Sequence, residues 1–237
     1  DSEDPIDSES LAAAGNPDKN GLDTYKIVNA PLLVNQVLTN KLLSKRLATG
    51  TLDSAVVGAI CSKTDLQSKE VFGYVVKCAL ATSVTVSCSG VNTTFAGGLG
   101  VAKPWGAAGG TCTGVDCQEW VSACVMAHGN FNGQMGVPIQ VAGSTAALNV
   151  TKPLVNPYPN DEGAYWGNIF NAKGTGQKRY GCAGFNANID YTPAVGSPQK
   201  LMSRSCGYYD IGGVCKVCTS ATAPIGNLCN GSNANYL

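Results

Sequence analysis

The chain is short of charge. Only 14% of its 237 residues are Asp, Glu, Lys or Arg, and acids and bases balance at 16 each. Nucleic acid is therefore not an expected partner, because phosphate binding needs a clustered basic surface. Long apolar runs are missing too. Nothing approaches the roughly 18 residues that a membrane-spanning helix requires, so no transmembrane segment is expected. Histidine is nearly absent, with His128 alone in the chain, and no Gly-x-Ser-x-Gly elbow exists to seat a serine nucleophile. The paired Cys-x-x-Cys spacing of a zinc site occurs once, at Cys215-Lys-Val-Cys218, with no second pair to complete it.

Cysteine is abundant by contrast. There are eleven: Cys61, Cys78, Cys88, Cys112, Cys117, Cys124, Cys182, Cys206, Cys215, Cys218 and Cys229. Such a number without metal-site spacing favours disulfides and an oxidising compartment, hence a secreted or surface protein. The odd count leaves one thiol over, buried or bridging to another chain; the pairing does not follow from sequence. The acidic start, Asp1-Ser-Glu-Asp-Pro-Ile-Asp7, reads like a mature end left by cleavage.

The strongest internal pattern is a five-residue repeat. Leu22, Ile27, Leu32, Val37, Leu42, Leu47 and Leu52 keep one register, and several are followed by a second aliphatic. Residues five apart on a helix are displaced by about 140°, and odd spacing on a strand alternates faces. The pattern resembles the pentapeptide-repeat β-helix, in which each pentad forms one side of a square coil. The competing reading is an amphipathic helix, with Leu33, Val37, Leu38 and Leu42 as its stripe and Pro31 in a first turn.

Three parts are expected: an acidic leader over 1–15, a pentad arm over 16–52 and a disulfide-rich α+β domain over 53–237. Asn16, Asp18, Asn20 and Asp23, with Gly21 between, resemble the calcium loops of thrombospondin type 3 repeats, so calcium is a possible cofactor. Residues 53–70 look helical. Ser83–Cys88 alternates as a half-buried strand, and the glycine-rich 89–114 reads as loop anchored by Trp105. The clearest helix runs from Asp116 to His128. Asp116 is its expected N-cap with Glu119 three residues on, and Cys117, Trp120, Cys124 and Ala127 mark a buried face whose cysteines would pin it to two neighbours. Val137–Gly143 reads as a strand near an edge because of Pro138.

Three segments in order, Tyr74-Val-Val-Lys-Cys-Ala-Leu80, Cys117-Gln-Glu-Trp-Val-Ser-Ala-Cys124 and Glu162-Gly-Ala-Tyr-Trp-Gly-Asn168, resemble a family of uncharacterised exported proteins of Gram-negative bacteria. Members often carry Leu/Asn-rich pentads upstream. The resemblance spans roughly residues 20–230; it implies export and a two-part layout and brings no catalytic residues.

On this reading the chain is a secreted structural protein rather than an enzyme. A short solenoid has open ends, so stacking through the arm would give a homo-oligomer or filament. The acidic leader and the basic arm (Lys26, Lys41, Lys45, Arg46) would set its polarity. Two other classes stand beside it. Asp161 and Glu162 next to Tyr165 and Trp166 could form the face of a glycan- or protein-binding module, or a glycosidase corner. A hydrolase could instead pair Cys124 with His128, one helical turn away.

Overall fold

The computed structural model describes residues 17–129, 137–141, 143, 145–148, 163–170 and 177–183. It is a mixed helix and strand protein with three disulfides among these residues: Cys61–Cys88, Cys78–Cys124 and Cys112–Cys117. Seven helices and three two-stranded antiparallel sheets are present among the described residues.

The pentad stretch is helical, not a β-solenoid. It forms α1 (Thr24–Asn29), α2 (Pro31–Val34) and α3 (Gln36–Leu43). The breaks are built from capping chemistry. Asp23 accepts from the Tyr25 amide to start α1, and Pro31 occupies the first turn of α2. Asn35 accepts from the Val37 and Leu38 amides to start α3. Ala30 and Asn35, five residues apart, both have extended ψ angles, of 121° and 105°. Each such residue interrupts the helical phase, so an anchor that a continuous helix would carry 140° round is returned inward. Leu22, Ile27 and Leu32 are fully buried in this way. Within the uninterrupted α3 the drift reappears: Leu42 is buried and Val37 is 63% exposed.

Residues 53–70 split into α4 (Ser54–Ile60) and the start of α5 (Leu66–Ala79), each with an aspartate, Asp53 or Asp65, accepting an amide hydrogen at its N-terminus. The segment Val71–Leu80, ambiguous in sequence, is the body of α5. The expected strand is β2 (Val84–Cys88), and it returns as β3 (Val91–Phe95) through Ser89 and Gly90, both at positive φ (52° and 86°). A two-residue turn of that hand matches the twist of the strands it joins. The glycine-rich window read as loop thus holds a strand, and also the short α6 (Lys103–Gly106).

Helix α7 (Val115–Ala127) begins one residue before the expected start. Its N-cap is Gly114 without a side-chain bond, and Asp116 lies inside the first turn, so the expected capping box is not formed. Every residue from Val121 to Gly129 is buried, a wider face than the single stripe read from sequence. Strand β1 (Pro17–Asn20) pairs with β4 (Val137–Gln140), and β5 (Gly163–Asn168) pairs with β6 (Lys178–Ala183).

One hydrophobic cluster joins these elements. It contains Leu22, Ile27, Leu32 and Leu42 beside Phe72, Val75, Trp105, Val125 and Phe170. Residues 16–52 and 53–183 thus contribute to a common core where they are described. Backbone bonds stitch the two: Leu47 N–H to the Trp105 carbonyl, Cys112 N–H to the Leu43 carbonyl, and the Trp105 indole N–H to the Lys45 carbonyl at 2.8 Å. Lys26 pairs with Glu70 and Lys41 with Asp53 across helices.

Candidate functional site

The assembly anchors do not form an exposed row. Leu22, Ile27, Leu32, Leu42 and Leu47 are fully buried in the chain's own core, Leu52 is half-buried, and Val37 alone is exposed. The correction has a plain cause: short helices with capped breaks bury the anchors without needing a neighbouring subunit.

The expected calcium-loop residues fall on two elements where they are described. Asp18 and Asn20 lie in β1, an extended strand paired with β4. Asp23 caps α1 through the Tyr25 amide at 2.8 Å. Asn16 lies outside the described residues.

The aromatic corner is internal. Tyr165 and Trp166 on β5 are buried, and the Trp166 ring stacks on Tyr180 of β6 with centroids 5.7 Å apart. They pack as core instead of presenting a flat face for a sugar. Asp161 and Glu162 lie outside the described residues, as do Cys206, Cys215, Cys218 and Cys229; Cys182 falls in β6.

Cys124 and His128 do come together. The imidazole Nδ1 lies 3.9 Å from Cys124 Sγ and 3.8 Å from Cys78 Sγ, and all three residues are fully buried. Cys124 is bonded to Cys78, however, so in this form it has no thiolate to attack a substrate. His128 Nδ1–H donates to the Cys124 carbonyl at 2.8 Å, one turn back at the end of α7. In the oxidised chain this constellation holds α5 to α7.

Among the described residues a cleft of roughly 340 Å³ lies between α4 and β2, lined by Gly50, Leu52, Ser54, Val57, Thr85, Val86 and Ser87. It is bounded by two cross-links. The Thr85 amide donates to Thr49 Oγ1 at 2.9 Å, and Cys61 past the end of α4 is bonded to Cys88 at the end of β2. Among the described residues strand β2 pairs only with β3, and its other edge lies along this cleft. The register settles which groups face it. Cys88 and Val91 flank the two-residue turn and exchange bonds, as do Val86 with Thr93 and Val84 with Phe95. Thr85 and Ser87 then turn their backbone groups outward. The Thr85–Thr94 hydroxyl contact at 3.0 Å fits this, since non-bonded pairs bring side chains closest.

No lining side chain is charged. Asp53, between Leu52 and Ser54 in the chain, has its carboxyl held below its usual value by the Ala55 amide first and by Lys41 next. The cleft therefore offers hydroxyls, one aliphatic wall and a strand edge, and no acid or base. Sequence reasoning missed it. Leu52 was picked for another role, and Ser54, Thr85 and Ser87 have no local signal. The edge is created by tertiary packing of α4 against β2.

No helix among the described residues is long and apolar enough to cross a membrane. Compared with known proteins, the chain matches no family model, no curated protein and no solved structure.

Proposed function

We propose that the protein is a non-catalytic interaction module of an oxidising compartment, and that it takes an extended peptide segment into the cleft beside β2. The observation that carries this is the outward edge of β2, with its Ser87 amide beside the cleft and its Thr85 amide held by Thr49, between that hydrogen bond and a disulfide. A peptide laid along such an edge gains main-chain hydrogen bonds, and the walls select its alternate side chains. With no charge in the lining, the fitting segment is neutral at the contact and places small apolar or hydroxyl side chains against Leu52, Val57 and Val86.

Three disulfides among the described residues support the compartment, since such bonds persist outside the reducing cytosol. The binding reading is preferred to self-assembly through the pentads because their anchors are used up inside the core.

The test is selection of an unbiased peptide display library on the full oxidised chain, followed by rebinding to two variants. Ser87→Pro removes an outward amide on the edge, where proline is tolerated. Ser54→Trp fills the cleft from the α4 side. The expected result is neutral peptides that bind the wild type and lose at least about tenfold, roughly 1.4 kcal/mol, on both variants. Peptides that bind all three chains equally, or selection that enriches nothing over bare support, would sink the proposal.

A further inference from the structure

Cys78, Cys124 and His128 are the one group of three metal-ligating side chains among the described residues whose ligand atoms all lie within 4.8 Å of one another. We propose that, when the Cys78–Cys124 bond is reduced, these residues form a three-coordinate S₂N site for copper(I). The disulfide and the metal site are alternative states of the same two sulfurs.

The placement is rigid from both sides. Cys78 sits near the end of α5, and Cys124 and His128 sit one turn apart at the end of α7. The surrounding core packs these helices through Val75, Val76, Val121 and Val125, so the positions do not depend on the S–S bond alone. The Cα atoms of Cys78 and Cys124 are 5.8 Å apart, which lets two thiolates turn onto one cation.

The Nδ1–Sγ separations of 3.8 and 3.9 Å belong to the disulfide form, and the two sulfurs part from each other before both can bind one ion. Donor softness narrows the choice of ion, since thiolates select copper(I) and zinc. Structural zinc wants a fourth ligand. Here no fourth Cys, His, Asp or Glu joins the group among the described residues, and all three members are shut off from solvent.

The chemistry balances. A dithiol reductant gives two electrons and two protons to the S–S bond and leaves as its own disulfide. Copper(I) then displaces both thiol protons, with no change in oxidation state. The Nδ1 proton moves to Nε2, and the ring turns so that the Nδ1 lone pair leaves the Cys124 carbonyl for the metal. The Cys124 carbonyl that loses this bond still accepts the His128 backbone N–H at 3.2 Å.

Because His128 is the only histidine, an imidazole signal reports this site despite the other cysteines. The full chain, labelled with ¹⁵N-histidine and reduced without oxygen, is titrated with cuprous acetonitrile complex and followed by ¹⁵N NMR. One equivalent is expected to shift Nδ1 strongly and leave Nε2 protonated, while the oxidised chain does not respond. Zinc(II) added instead is expected to leave the imidazole unmoved. Copper uptake with an unshifted imidazole would place the metal on other thiols and overturn the proposal; an equal response to zinc would overturn the three-coordinate assignment. His128→Gln is expected to weaken copper binding by roughly tenfold or more against a competing chelator, and the wild-type titration decides the matter if that variant does not fold.

Discussion

Gly97 and Gly58 illustrate how two residues of one type carry opposite predictions. A Cβ at Gly97 would lie 2.4 Å from the Thr82 carbonyl oxygen and 2.6 Å from its nitrogen, both backbone atoms that cannot swing aside. Gly97→Ala is expected to destabilise the fold by about 1–3 kcal/mol, the usual cost of overpacking. Gly58 lies inside α4 with nothing within 4 Å of its would-be Cβ. Gly58→Ala removes a helix-interior glycine and is expected to stabilise by about 0.5–1 kcal/mol. Urea denaturation of the two variants checks both signs; midpoints that move together in either direction would contradict this account. At this scale the sequence was partly legible. Trp105 was readable as a core anchor because one large apolar ring in a glycine-rich stretch has few other roles. Val37 was misread because it shares the pentad register yet sits in an unbroken part of α3, where register no longer means direction. Nothing in the local sequence marks Gly97, whose role depends on Thr82 passing close by.

Among the elements, α7 carries a charge that the fold does not favour. Burial first, and then nearby Asp116, raise the Glu119 carboxyl above its ordinary value of 4.5, with Lys178 opposing them. The folded chain thus holds that proton where the unfolded chain has released it. The fold therefore loses stability as pH rises from about 4.5 through the folded value. Glu119→Gln removes this dependence. Its stability relative to wild type is expected to grow between about pH 4 and pH 7, measured by thermal melting across that range; parallel curves would show that the carboxyl is not perturbed. The helix itself was legible because periodicity survives where a segment is long. Its cap was not, because Asp116 and Glu119 satisfy a capping pattern by spacing alone. The actual cap lies two residues earlier, at Gly114. The pentads show the reverse case: the repeat was real, but its physical origin was single helical turns separated by Asn and Pro breaks, which imitates a strand-like period. The β2–β3 hairpin was half legible. The strand alternation of Val84 and Val86 was clear, and the turn at Ser89–Gly90 was lost among other glycines.

For the whole molecule, the disulfides differ in reach. Cys112–Cys117 spans 5 residues, Cys61–Cys88 spans 27 and Cys78–Cys124 spans 46. If their effect is chiefly on the unfolded chain, removing the first costs about 2 kcal/mol and removing the last about 4 kcal/mol. Paired serine replacements, Cys112→Ser with Cys117→Ser and Cys78→Ser with Cys124→Ser, are expected to rank in that order by chemical denaturation. The opposite order would show that native-state contacts, not loop closure, decide. The cysteine count pointed to disulfides but not to their pairing, because any connectivity satisfies a count. The cleft was illegible for the same reason, being an edge of one element opposed to the end of another.

The backbone link between the start and the far end of the described core has a consequence for the order of events in time. Gly21 and Leu22 both donate to the His128 carbonyl, and Leu22 bridges Gly129 in parallel. Helices α1 to α3 pack on α4 and α5, which follow within a few tens of residues, whereas Gly21 and Leu22 wait for a carbonyl far along the chain. Contacts this distant along the chain close late and slow folding. The link at Leu22 thus closes after the helices beside it have already packed.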